Sequence, residues 1–142
     1  MKRWHLFTAA LATLAILAGC ATLDEKQRAW IFQPGDRSWG NGEAMAEGMD
    51  DVWVEFNSRV TGQPTRLHGL WLAAPRPGAP VLLYLHGARW NVTGSAFRIR
   101  RMQELGFSVL AIDYRGFGKS SKDLPSEAMA GEDARAAWDW LA

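Results

Sequence analysis

Two short segments hold most of the side chains able to do chemistry. One is His86-Gly87-Ala88-Arg89-Trp90-Asn91, and the other is Asp113-Tyr114-Arg115-Gly116-Phe117-Gly118-Lys119-Ser120. Each follows a short apolar run, Val81–Leu85 or Phe107–Ile112, that reads as a buried strand. Ligands meet α/β sheets at the carboxyl ends of parallel strands. Imidazole, carboxylate, guanidinium and glycine at such ends could bind an anion, carry a proton or shape a backbone pocket. The plainer reading of His86-Gly87 is a strand-ending turn with a packed histidine. A carboxylate at a strand's end can accept hydrogen bonds from the loop that follows, so Asp113 is expected to give structural support. Arg115 is expected as its packing or ion-pair companion, and Gly116-Phe117-Gly118 as tight backbone turns. His68, within a predicted strand, is expected to be an ordinary histidine.

Sharper readings of these residues fail on spacing. Gly118-Lys119-Ser120 invites a phosphate loop, but the pattern needs glycine five residues earlier, where Asp113 stands. Gly116-x-Gly118-x-x-Ser121 lacks the last glycine of the dinucleotide fingerprint, and Pro125 delays the helix that should open there. No histidine, cysteine and carboxylate group has metal-ligand spacing, so no metal and no cofactor is expected. The formal charge of +1 argues against a nucleic-acid partner. The one cysteine rules out a disulfide within the chain.

The elements that must position these segments follow from pattern. Val52–Ser58 reads as a strand with Val52, Val54 and Phe56 on one face, and Leu67–Leu72 as its returning partner after the turn at Thr61-Gly62-Gln63-Pro64. Ala96, Ile99, Met102 and Leu105 make a helical stripe over Ser95–Leu105, closed by Gly106. Ser126 is placed to cap a last helix, with Ala134, Ala137, Trp138 and Leu141 on one face. The expected fold is α/β: an antiparallel hairpin, a right-handed βαβ unit from Val81 to Ile112, and a further helix. Eight Trp in a chain of 142 residues suggest a packed fold with the indoles buried.

The N-terminus reads as an address. Lys2 and Arg3 precede an apolar stretch, Leu6–Ala18, of about 13 residues, short of the ~20 that a spanning helix needs. Leu17-Ala18-Gly19-Cys20 resembles the bacterial lipobox, which implies cleavage before Cys20 and lipidation of its thiol. The chain then divides into a lipoprotein signal peptide (1–19), a lipidated tether and lead-in (20–50) and a folded domain (51–142). Cleavage removes two basic and no acidic residues and turns the charge to −1. The tether shows no sustained period, and its Trp30, Ile31, Phe32 and Trp39 are expected to pack onto the domain. The implied location is the bacterial cell envelope, with the outer membrane favoured because Ala21 is not aspartate, and the implied partner is a membrane held through the lipid.

The order apolar strand, His-Gly, helix, apolar strand, Asp-Tyr-Arg-Gly-x-Gly-x-Ser is similar to the α/β-hydrolase superfamily. It looks most like bacterial lipoprotein hydrolases of the BEM46-like and serine-aminopeptidase-like groups. The resemblance covers about residues 50–142 and implies strand order 1-2-4-3-5-6-7-8, with this chain as the N-terminal half. It also implies a serine hydrolase of esters, thioesters or peptides. In the family, the oxyanion hole takes one backbone N–H from the loop after the third strand. Carried over, that donor is Ala88, with Arg89 as the alternative. Gly87 would let the chain turn and the substrate approach, with His86 as a supporting residue.

The family's nucleophile lies in Gly-x-Ser-x-Gly, and no serine of this chain has glycine two residues before and two after. The acid and base come later still in the family's order. The chain is therefore expected to be an inactive N-terminal portion of an active protein. The alternative is a short lipoprotein whose degenerate hydrolase scaffold binds or supports without catalysis. The Val81–Leu85 strand favours the first, because it would otherwise stand as an apolar sheet edge without charge or proline to protect it.

Overall fold

A computed structural model describes residues 2–142 of the protein. Helix α1 (Lys2–Phe32) is followed by a one-turn helix α2 (Gly42–Ala46) and strands β1 (Asp50–Asn57), β2 (Pro64–Leu72) and β3 (Val81–Leu85). A 3-10 turn (Val92–Ser95) leads into α3 (Ala96–Glu104), then β4 (Ser108–Ile112) and α4 (Glu127–Leu141). The four strands form one sheet in the order β1-β2-β4-β3. β1 with β2 and β2 with β4 are antiparallel, and β3 runs parallel to β4 with Val81 opposite Ser108 and Leu85 opposite Ile112. This is the expected hairpin and βαβ unit, in the order that the resemblance implies.

The sheet is covered on both faces, as its apolar runs require. On one face Leu70, Leu72, Val109 and Ala111 pack with Ile99 of α3 and Val92. On the other, Val54, Leu67, Leu110 and Ile112 pack with Ala137 of α4. All five residues of β4 are buried, whereas β3 lies at one edge with Val81 and Leu85 exposed. Gly106 ends α3 in the left-handed region, φ +99, and its N–H bonds the Gln103 carbonyl at 2.8 Å. The Ser126 hydroxyl accepts the Met129 N–H at 3.2 Å and caps α4.

Three details differ from the sequence reading. The tether is helical to Phe32, because Ala21, Leu23, Glu25, Lys26, Gln27, Arg28 and Ala29 favour helix and no proline intervenes until Pro34. Within α1, Phe7–Phe32 is long and apolar enough to cross a membrane by length and composition, a test that signal sequences also pass. The 13-residue measure stopped at Ala18, but apolar character runs on through Leu23 to Asp24. Second, Trp30, Ile31 and Trp39 stay exposed, and only Phe32 of that group is half-buried. No tryptophan among the described residues is fully buried, so the indoles are not the core. Third, Leu105 and Trp138 are exposed, and on α4 the buried residues are Ala137, as expected, and Asp133.

Candidate functional site

The loop after β4 is built inward around Asp113. This carboxylate is almost wholly buried; its Oδ1 accepts the Val92 N–H at 2.6 Å and its Oδ2 lies 3.2 Å from His68 Nδ1. His86 Nε2 stands 3.4 Å from Oδ1. Burial pushes the carboxyl up, but His68, His86 and the Val92 N–H outweigh it and hold it below the ordinary value. His68 Nε2 also meets the exposed Asp51, whose carboxylate takes Lys119 Nζ at 3.2 Å. His68 is thus enclosed by two carboxylates, which raise its pKa against the opposing effect of burial. The Ser120 hydroxyl ties the turn, donating to the Asp113 carbonyl at 2.7 Å and accepting the His68 N–H at 2.9 Å. Glycine is obligatory at two positions here. A Cβ on Gly118 (φ +49) would fall inside the Asp113 carboxylate, and one on Gly116 (φ +85) would lie 2.5 Å from the Asp123 carbonyl.

Arg115 is not the companion of Asp113. Its fully buried guanidinium pairs with Asp133 at 2.8 Å and Glu132 at 2.6 Å, both on α4, and donates to the Ser58 hydroxyl at 2.9 Å. It therefore fastens α4 to the loop and to the end of β1. Burial works against the Glu132 anion, but Ser58 and Arg115 lower its pKa to about 2. Burial dominates at Asp133 and raises its pKa in spite of Arg115.

The loop after β3 is built the opposite way. Gly87, Ala88 and Arg89 are exposed. The Arg89 N–H is committed to the Phe32 carbonyl at the end of α1, 2.9 Å away, and the Asn91 N–H to the Arg37 carbonyl at 2.8 Å. The Ala88 N–H has no hydrogen-bond partner among the described residues. The left-handed residue of this turn is Arg89, φ +85, rather than Gly87, beside which a Cβ would meet nothing within 4 Å. His86 is buried; its Nδ1 lies 2.6 Å from the Gly87 carbonyl, and its ring meets Tyr114 and Phe117 edge-on. Two cavities open on this loop. A largely apolar one of about 230 Å³ lies against Phe32, Phe117 and Met129, and a wider one of about 550 Å³ lies against Trp39, Tyr84 and Trp90. Ala88 lines both.

Solved structures share this arrangement. An esterase from Pyrococcus furiosus aligns with 76% of the chain, and the chain with 41% of the esterase, at TM-score 0.57 and 22% identity. A probable hydrolytic enzyme from Pseudomonas aeruginosa aligns with 66% of the chain, and the chain with 30% of it, at TM-score 0.56 and 24% identity. The fold is that of the α/β-hydrolases. Among curated proteins, the chain is 39% identical over 98 residues to human Protein ABHD12B, covering 67% of the chain and 22% of that protein. It is 31% identical over 143 residues to the uncharacterized protein MT2364 of Mycobacterium tuberculosis, covering 99% of the chain and 49% of that protein. The chain thus spans less than half the length of these relatives. No family profile matches it.

Sequence reasoning placed Asp113, His86 and Ala88 at one end of the sheet, where the structure brings them together. It missed His68, Asp51 and Ser120 around Asp113, and Ser58, Glu132 and Asp133 around Arg115. Hairpin register would have found Asp51: Trp53 faces His68, so Asp51 is the diagonal neighbour on that face. Asp133 lies four residues before Ala137, on the buried stripe of α4.

Proposed function

We propose that this chain is the N-terminal portion of a lipid-anchored serine hydrolase of the cell envelope, acting on ester, thioester or peptide bonds. Cys20 carries the anchor, and the nucleophile, acid and base come from sequence after residue 142. The observation that carries the reading is the unpartnered, exposed Ala88 N–H at the carboxyl end of β3, beside an apolar cavity. Fold likeness to an esterase and the partial span of the relatives support it. In the reaction, the Ala88 N–H donates to the oxyanion that forms when the nucleophile attacks the carbonyl. The donor is worth about 3 kcal/mol to the transition state and makes no demand on the side chain. The 142 residues alone hold one oxyanion donor and no triad, and turn over no substrate.

The first experiment reads the coding sequence in frame past codon 142. A Gly-x-Ser-x-Gly after a fresh apolar strand, with aspartate and histidine later, is expected; an immediate stop codon overturns the reading. In the longer protein, Ala88→Pro removes the N–H and is expected to lower kcat for a p-nitrophenyl ester about 100-fold. Ala88→Ser keeps the N–H and leaves kcat near wild type. Cys20→Ser is expected to abolish metabolic labelling with palmitate and release the protein from membranes.

A further inference from the structure

The Gly87 carbonyl and the Ala88 N–H belong to one planar peptide and point in opposite directions. Whatever holds the carbonyl therefore aims the N–H. The His86 ring holds it, with Nδ1 2.6 Å from the Gly87 oxygen. Tyr114 and Phe117 wall that ring at centroid distances of 5.3 and 5.1 Å. Its Nε2 is buried and makes no hydrogen bond, but it faces Asp113 Oδ1 across 3.4 Å. The ring's orientation thus depends on where the Asp113 charge is directed. That carboxylate lies against three neighbours at once, the Val92 N–H, His86 and His68.

His68 is the variable member. Both its nitrogens face carboxylates, Asp113 on the inner side and Asp51 on the outer. The titratable or charged groups facing it are Asp51 from β1, Asp113 after β4 and Lys119 from the following loop, while Trp53 covers its ring. With a proton on each nitrogen, His68 draws Asp113 Oδ2 toward β2. Loss of one proton frees that carboxylate to turn its charge toward His86. We infer that His68 is a positioning residue for the Gly87–Ala88 peptide, acting through Asp113 and His86, and that Asp51 and Lys119 link this row to the protein surface. The coupling stands on the geometry alone; its consequence for catalysis rests on the oxyanion role proposed for Ala88.

The test follows histidine ring and backbone amide resonances of the protein by NMR between about pH 5 and 9. The Ala88 amide is expected to shift with the midpoint of His68, while the amide of Leu105, remote from the row, stays flat. Asp51→Asn, an exposed change, is expected to lower both midpoints together by about one pH unit. His68→Gln removes the inflection at Ala88, with a thermal melt confirming the fold. If His68→Gln does not fold, the Asp51→Asn arm decides. An Ala88 amide that ignores the His68 titration, or that keeps its midpoint when Asp51→Asn moves that of His68, overturns the inference. If the coupling is present but Ala88→Pro leaves hydrolysis unchanged, the positioning role stands and the hydrolase reading fails.

Discussion

The two loops at the carboxyl end of the parallel strands, a short one after β3 and a longer one after β4, are opposite in construction. The loop after β4 spends its polar groups on itself: Asp113, Arg115 and Ser120 are each almost fully buried and multiply bonded. The loop after β3 leaves Gly87 to Arg89 exposed and the Ala88 N–H unspent. Neither loop is stable in the same sense. The first resists change because a substitution at Asp113, Arg115 or Ser120 strands a buried partner, and the second tolerates side-chain change because only its backbone is used. The more ornate motif, Asp-Tyr-Arg-Gly-x-Gly-x-Ser, is accordingly the support, and the plain alanine is the candidate for chemistry.

The contrast predicts a steep gradient of mutational cost. Gly118→Ala should be the most damaging, because the new methyl displaces the Asp113 carboxylate from its donors; we expect a loss of more than about 4 kcal/mol in denaturant melts. Arg115→Met strands the buried Asp133 and should cost about 3 kcal/mol by the same measurement. A double variant with Asp133→Leu should recover much of that loss, since a buried pair can be replaced by apolar packing.

The pH dependence sharpens the comparison, because both ends of the profile come from the row of groups around Asp113, the buried carboxylate of the β4 loop. Asp113 and Asp51 have folded pKa values below their unfolded ones. Their stabilisation is present above about 3.9, the unfolded value, and is lost as pH falls through the lower folded values. His68 has a raised pKa, so its contribution is complete below about 6.5 and is lost as pH rises through the folded value. Stability should therefore peak in the acidic range between these limits, and His68→Gln should flatten the alkaline limb in melts across pH. The smallest effect is expected at Gly87→Ala, within about 0.5 kcal/mol, because a Cβ there meets open space. A large loss at Gly87 would break the contrast.

Much of this architecture was legible in the sequence because it is periodic. Val81–Leu85 is found as read, and Ser126 caps the last helix as expected. What stayed hidden is pairing across distance. Arg115 stands two residues from Asp113, and proximity in sequence suggested a pair, but the guanidinium points the other way, to α4. Composition also misled at the indoles, since Trp30, Trp39, Trp138 and Trp140 all stay exposed. A reading by residue type counts tryptophan as core, but burial is decided by which face of an element another element covers. Glycine in the β4 loop gave the opposite lesson: Gly116 and Gly118 were expected as turns, and a side chain at either would collide with its surroundings.

One hydrogen bond described above has a mechanical meaning. The Phe32 carbonyl, at the last turn of α1, receives the Arg89 N–H, the amide next to that of Ala88. With cleavage before Cys20, residues 20–32 of this helix remain, a rod ~20 Å long, and its tip is fastened one peptide away from the candidate donor. In the proposed lipid-anchored form, the acyl chains hold the Cys20 end of this rod at the membrane surface, and the fastening passes its inclination to the mouth of the site. The anchor would then work as a gimbal as well as a tether, limiting which way the opening can face relative to the membrane plane.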